Sequence, residues 1–178
     1  MKKLVIALMA FALVITLAGC GGGGGSSRIN FDDIVASETF PKQCSKISAE
    51  MTEMSSVFAD NNKSASEKTE LLKKYVSDNF ERDGKKCKSE LISTMSSRFS
   101  RYTVKEWKFK VVSHDGTEAD DNSIKTVCAI KLNLEKKPGA EGSVNKFDDV
   151  LTDRAIYWVK EGDVWKIQKG LPYLTSEY

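Results

Sequence analysis

The hydrophobic period of this chain changes once, near Arg101. Before that point apolar residues recur every three or four positions. Cys44, Ile47, Met51, Met54 and Phe58 form one set. Leu71, Leu72, Tyr75, Val76 and Phe80 form a second, and Cys87, Leu91, Ile92, Met95 and Phe99 a third. That spacing lines each set along one face of a helix, and such a face must be buried. After Arg101 the period is two. Trp107-Lys108-Phe109-Lys110-Val111 alternates, and Ile124, Thr126, Cys128, Ile130, Leu132 and Leu134 are alternate residues of a longer strand. A third strand is predicted from about Phe147 to Lys160. It turns through Glu161-Gly162-Asp163 into Val164-Trp165-Lys166-Ile167, a hairpin pattern. Helices segregated from an antiparallel sheet make an α+β fold. The expectation is three N-terminal helices packed on a curved four-stranded antiparallel sheet.

Local chemistry sets the boundaries. Pro41 suits a first helical turn, where its missing N–H is not needed. Ser64-Ala65-Ser66-Glu67 reads as a capping box opening the second helix, and Asp83-Gly84 as that helix's stop. His114-Asp115-Gly116 is a turn, and residues 136–143 are a loop. Residues 171–178 form a tail expected to lie on the sheet.

The front of the chain has a different character. Met1-Lys2-Lys3 precedes sixteen uncharged residues that end in Leu17-Ala18-Gly19, and Cys20 follows. A positive start, a short apolar run and small residues at a cleavage site are the parts of a secretory signal. The run is shorter than the roughly 20 residues a membrane-spanning helix needs. Leu-Ala-Gly-Cys resembles a bacterial lipobox. The resemblance implies diacylation of Cys20 and removal of residues 1–19, and several acyl chains anchor a protein stably where one does not. By resemblance to the sorting rule for such proteins, Gly21 in place of aspartate implies the outer membrane, facing the periplasm. Gly21 to Gly25 and Ser26-Ser27 have the composition of a flexible leash. The chain thus divides into a signal peptide (1–19), a lipidated cysteine with tether (20–38) and one domain (39–178). Ile29, Phe31, Ile34 and Val35 are scattered apolar points in the tether.

Charge excludes one class of partner. The chain has 27 basic and 25 acidic residues. Lys2 and Lys3 leave with the signal, so 25 of each remain and nucleic acid is not an expected partner. Of the four cysteines one is spent on lipid. In an oxidising compartment the others can pair. Cys44 and Cys87 are expected to do so and Cys128 to stay free, with a Cys87–Cys128 bridge as the rival. One histidine and no C-x-x-C spacing argue against zinc, and no metal or cofactor is expected.

The segment from Trp107 to Gly170 is similar to the cone-shaped nuclear transport factor 2-like (cystatin-like) superfamily. Within it, the pattern resembles small bacterial lipoproteins that carry a domain of unknown function. The charged strand at Trp107, the small residues Val127-Cys128-Ala129 and the closing hairpin around Gly162 carry the resemblance. It implies a cone that hosts isomerases, dehydratases and non-catalytic binders alike, so function must come from the site.

The residues point away from catalysis. His114, the lone histidine, precedes Asp115-Gly116 and is expected at a hairpin tip in water, a poor place for a general base. Asp148-Asp149 at a strand start reads as edge protection. Arg154 shares a face with Val150, Thr152, Ile156 and Trp158, so it either lines a wet pocket or sits on an exposed edge. Trp107, Arg154 and Trp158 are the candidate pocket residues, and no catalytic residue is assigned. The expected function is a lipid-anchored envelope protein binding a small apolar or amphipathic ligand, or an envelope protein, with homodimerisation through the sheet as an option. The alternative is an isomerase or hydratase in the same cone.

Overall fold

The structure, a computed structural model, describes residues 29–37, 40–115 and 121–171. The signal, the lipidation of Cys20, the glycine leash, Gly116 and the tail beyond Leu171 lie outside the described residues.

The first helix, α1 (Lys42–Ala59), starts after Pro41 at its N-cap, and all five stripe residues from Cys44 to Phe58 are buried. The second, α2 (Ala65–Tyr75), opens on a complete capping box. The Ser64 hydroxyl accepts from the Glu67 N–H at 3.2 Å, and Glu67 Oε2 accepts from the Ser64 N–H at 2.8 Å. That backbone N–H, with help from Lys63, holds the Glu67 carboxyl down to about 2 from its ordinary 4.5. A carboxylate depressed in the folded state stabilises it above pH 4.5, and the contribution fades as the pH falls towards 2. Ser64→Ala should lower unfolding free energy by about 1 kcal/mol at neutral pH. The deficit should shrink as acid protonates Glu67, which chemical denaturation at pH 7 and pH 2.5 would check.

Next the expectation fails. α2 stops at Tyr75, and the chain continues as strand β1 (Val76–Arg82) and a two-residue strand β2 (Lys85–Lys86) before α3 (Lys88–Arg101). Then come β3 (Tyr102–His114), β4 (Ser123–Lys136), β5 (Lys146–Glu161) and β6 (Val164–Lys169). The sheet has six strands in the order β2-β1-β6-β5-β4-β3. It is mixed, because β1 runs parallel to β6, Val76 beside Ile167. A four-stranded antiparallel sheet following three helices is therefore incorrect. The reason is an ambiguity of spacing. Val76 and Phe80 lie four apart, which fits a helix face and one face of a strand equally. Asp83-Gly84 is not a helix stop but a hairpin turn. Both residues have positive φ, 52° and 75°, as a type I′ turn requires.

The core lies between one face of this sheet and the helices. α1 crosses β3, with Phe58 edge-on to Trp107 at 5.0 Å. The row Ile124, Thr126, Cys128, Ile130, Leu132 and Leu134 of β4 faces inward and is buried throughout. On β5 the alternation is interrupted. Cys128 stands opposite Arg154 but Ile130 opposite Leu151, so three residues of β5 span two of β4. Asp153 takes the extra step in the left-handed region, φ 55°. This bulge shifts the face of everything before it. Arg154 shares its face with Ile156 and Trp158, but Val150 and Thr152 do not belong to that row.

On the opposite sheet face lies a strap, residues 29–37, which includes the one-turn 3-10 helix Phe31–Asp33. Phe31 is buried. Lys110 Nζ donates to the carbonyls of Phe31 and Ile34 at 3.2 and 2.8 Å, and the Ser37 N–H donates to Val112 O at 2.7 Å. Composition alone groups these residues with the tether, yet they dock on the domain.

Candidate functional site

The three expected pocket residues do not meet in a cavity. Trp107 is buried under Phe58. Trp158 is 1% exposed, and its indole N–H donates to Thr126 Oγ1 at 2.8 Å. Phe109 stands edge-on to it at 5.8 Å. Both tryptophans are core side chains on the sheet face that α1 covers. Arg154 is exposed just past the Asp153 bulge.

An open groove of about 980 Å³ lies elsewhere, between α2 and α3. One wall is the outward face of α3. Ser89, Ser93, Ser96, Ser97 and Ser100 recur there at helical spacing, with Ile92 beside them. Thr69 and Lys73 of α2 form the facing wall, and Asp78, Lys86 and Lys88 close the end near β1. The stripe forms because α3 buries its other face, with Leu91, Met95 and Phe99 turned to the core. The charged groups are held in place. Lys88 Nζ reaches Asp78 Oδ1 at 2.6 Å, and Lys86 Nζ reaches Asn79 Oδ1 at 2.6 Å. The bond from Lys88 lowers the Asp78 carboxyl from its ordinary range. Lys73 pairs with Glu70 at 2.6 Å. The groove thus offers hydroxyls that both donate and accept, ammonium groups at one end and an apolar spot at Ile92. That set suits an extended polar or amphipathic ligand and supplies no activated nucleophile or base. The serine repeat is visible in the sequence, but among five polar residues it reads as a solvated face until α2 is known to stand opposite.

The remaining candidates take structural places. His114 ends β3 opposite Thr126, and its buried Nδ1 makes no hydrogen bond among the described residues. Asp148 and Asp149 lie on β5 near its start, paired with Asn133 and Leu132 of β4 in an interior strand. Cys44, Cys87 and Cys128 are free thiols, so the expected Cys44–Cys87 bridge is not formed. Cys44 points from α1 into the core. Cys87 sits at the N-cap of α3, its N–H bonded to Phe80 O at 3.0 Å. Burial pushes the Cys44 thiol up to about 11. Burial, reinforced by the nearby Cys44, pushes Cys128 up to about 12 against the opposing effect of the Thr126 hydroxyl. The thiolate is the reactive form, so both buried thiols are nearly inert at pH 8. Iodoacetamide should label Cys87 in the native protein and reach Cys44 and Cys128 only in denaturant. Peptide mapping reads the order, and early labelling of either buried thiol would contradict it.

No protein-family model, curated protein or solved structure matches this chain.

Proposed function

We propose that this chain is a lipid-anchored, non-catalytic binding protein of a bacterial cell envelope, and that the α2–α3 groove is its recognition surface. The groove carries the reading: its walls are hydroxyls and held charges. The lipobox at Leu17-Ala18-Gly19-Cys20 supports the anchor and the envelope location. The groove's volume lies at the upper end of small-molecule sites, which run to about 1,000 Å³, and it is open to solvent. An extended segment of another envelope protein fits it better than a compact apolar ligand, since a compact ligand would need walls on most sides.

The test compares the detergent-solubilised full chain with a variant carrying Ser93→Trp and Ser97→Trp, which fills the groove from an exposed helix face. After crosslinking in intact cells, the wild type should retain a defined envelope species that the variant loses at an unchanged melting temperature. The same species retained by both proteins would reject the groove as the recognition surface.

A further inference from the structure

The strap shows which way the domain faces. It enters the domain at Ile29, and only eight residues, Gly21 to Arg28, separate that point from the acylated position. The nine residue-to-residue steps from Cys20 to Ile29 reach at most roughly 30 Å when fully extended. The strap is pinned to the outer face of the sheet by Lys110 and by the Lys108–Asp32 pair at 3.4 Å. Within that short reach stand the two exposed large hydrophobic residues of the described chain, Ile29 at 54% and Val35 at 83%. Single exposed apolar residues are common on protein surfaces. Here, however, both lie on the strap that the anchor joins, one on either side of the buried Phe31.

Strand parity separates this face from the groove. Trp107 pairs with Leu132 on the side covered by α1, whereas Lys108 pairs with Lys131 on the side of the strap. Phe58 of α1 also packs on Phe99 of α3 at 4.7 Å, so the helices share the inner side. We infer that the strap face rests on the lipid bilayer, with Ile29 and Val35 at the headgroup level, which turns the α2–α3 groove away from the membrane. Lys108 and Lys131 share Glu106, at 2.9 and 2.7 Å, and the strap also exposes Asp32 and Asp33, so this face is not a basic patch and Ile29 and Val35 supply its apolar contact. The occupant is the anchoring bilayer itself, because the leash is too short to carry this face far from it. The inference rests on lipidation of Cys20.

The experiment uses the full chain, acylated in cells and reconstituted in phosphatidylethanolamine–phosphatidylglycerol vesicles. In a Cys87→Ser background, Ile29→Cys, Val35→Cys and Ser97→Cys each receive an environment-sensitive fluorophore. Quenching by headgroup-nitroxide lipid should be several-fold stronger at positions 29 and 35 than at 97, and quenching by aqueous iodide should show the reverse order. Equal lipid quenching at all three positions overturns the inference. So does a label at 35 shielded from both quenchers, which would mean that a protein covers this face. Mass spectrometry of the Cys20 peptide separates the two failures. An unacylated Cys20 removes the anchor and this inference together, while an acylated Cys20 with the wrong quenching order removes the orientation alone.

Discussion

Gly170→Ala is expected to destabilise the domain by about 3 kcal/mol or more. Two costs combine there. The residue has φ 92°, a conformation that side chains with a Cβ rarely adopt. An added Cβ would also lie 2.1 Å from the Ala155 carbonyl oxygen and 3.2 Å from Ile156 Cα. Both atoms are backbone of β5, which is paired with β4 on its other side, so they cannot step aside. The chain needs this close pass because β6 ends there and the next residue, Leu171, is buried in the core. Moving Gly170 outward would pull Leu171 out. Gly84→Ala is the control. It has φ 75° but nothing within 4 Å of the added Cβ, so it isolates backbone strain, at about 1 kcal/mol. A melting point lowered by about 10 °C for Gly170→Ala and by a few degrees for Gly84→Ala is the expected result. Equal losses would show that the contact with Ala155 is slack.

Local patterns carried most of the secondary structure. The α1 stripe, the Ser64 capping box and the inward row of β4 are all readable because each rests on nearby residues of one period. The topology was less accessible. Val76 and Phe80 satisfy both periods, and the choice between them is made by β6, some ninety residues away, which supplies a parallel partner. Asp83-Gly84 held the correct clue, since that pair is a strong hairpin signal. The Asp153 bulge shows a different limit. A single extra residue reassigns Val150 and Thr152 to the other face, and strict alternation cannot register it. The strap was obscured by composition, because one buried phenylalanine among polar residues has no period. The groove depends on two helices facing each other, and no stretch of sequence contains that fact.

Trp158→Ala should cost about 4 kcal/mol, the range for emptying a core site of a large aromatic. Trp158 is among the largest fully buried side chains. It stands opposite Ile124 on one neighbouring strand and Ile167 on the other. Its indole N–H also satisfies the Thr126 hydroxyl, which lies 3.0 Å from Cys128 Sγ in a fully buried cluster. Trp158→Phe keeps a ring against Phe109 but removes that donor, so its cost should be about 1–2 kcal/mol. Arg154→Ala, two strand positions beyond Ile156 at an exposed site, should stay within about 0.5 kcal/mol. Urea titrations of the three variants distinguish the core reading from the pocket that the sequence suggested. A pocket residue would yield little stability on truncation and would change ligand capture. If Trp158→Ala melts with the wild type while losing the crosslinked envelope species, the inner sheet face, and not the α2–α3 groove, is the binding surface. A large stability loss for Trp158→Ala, beside neutral Arg154→Ala and unchanged capture by Arg154→Ala, leaves neither residue a role in a pocket.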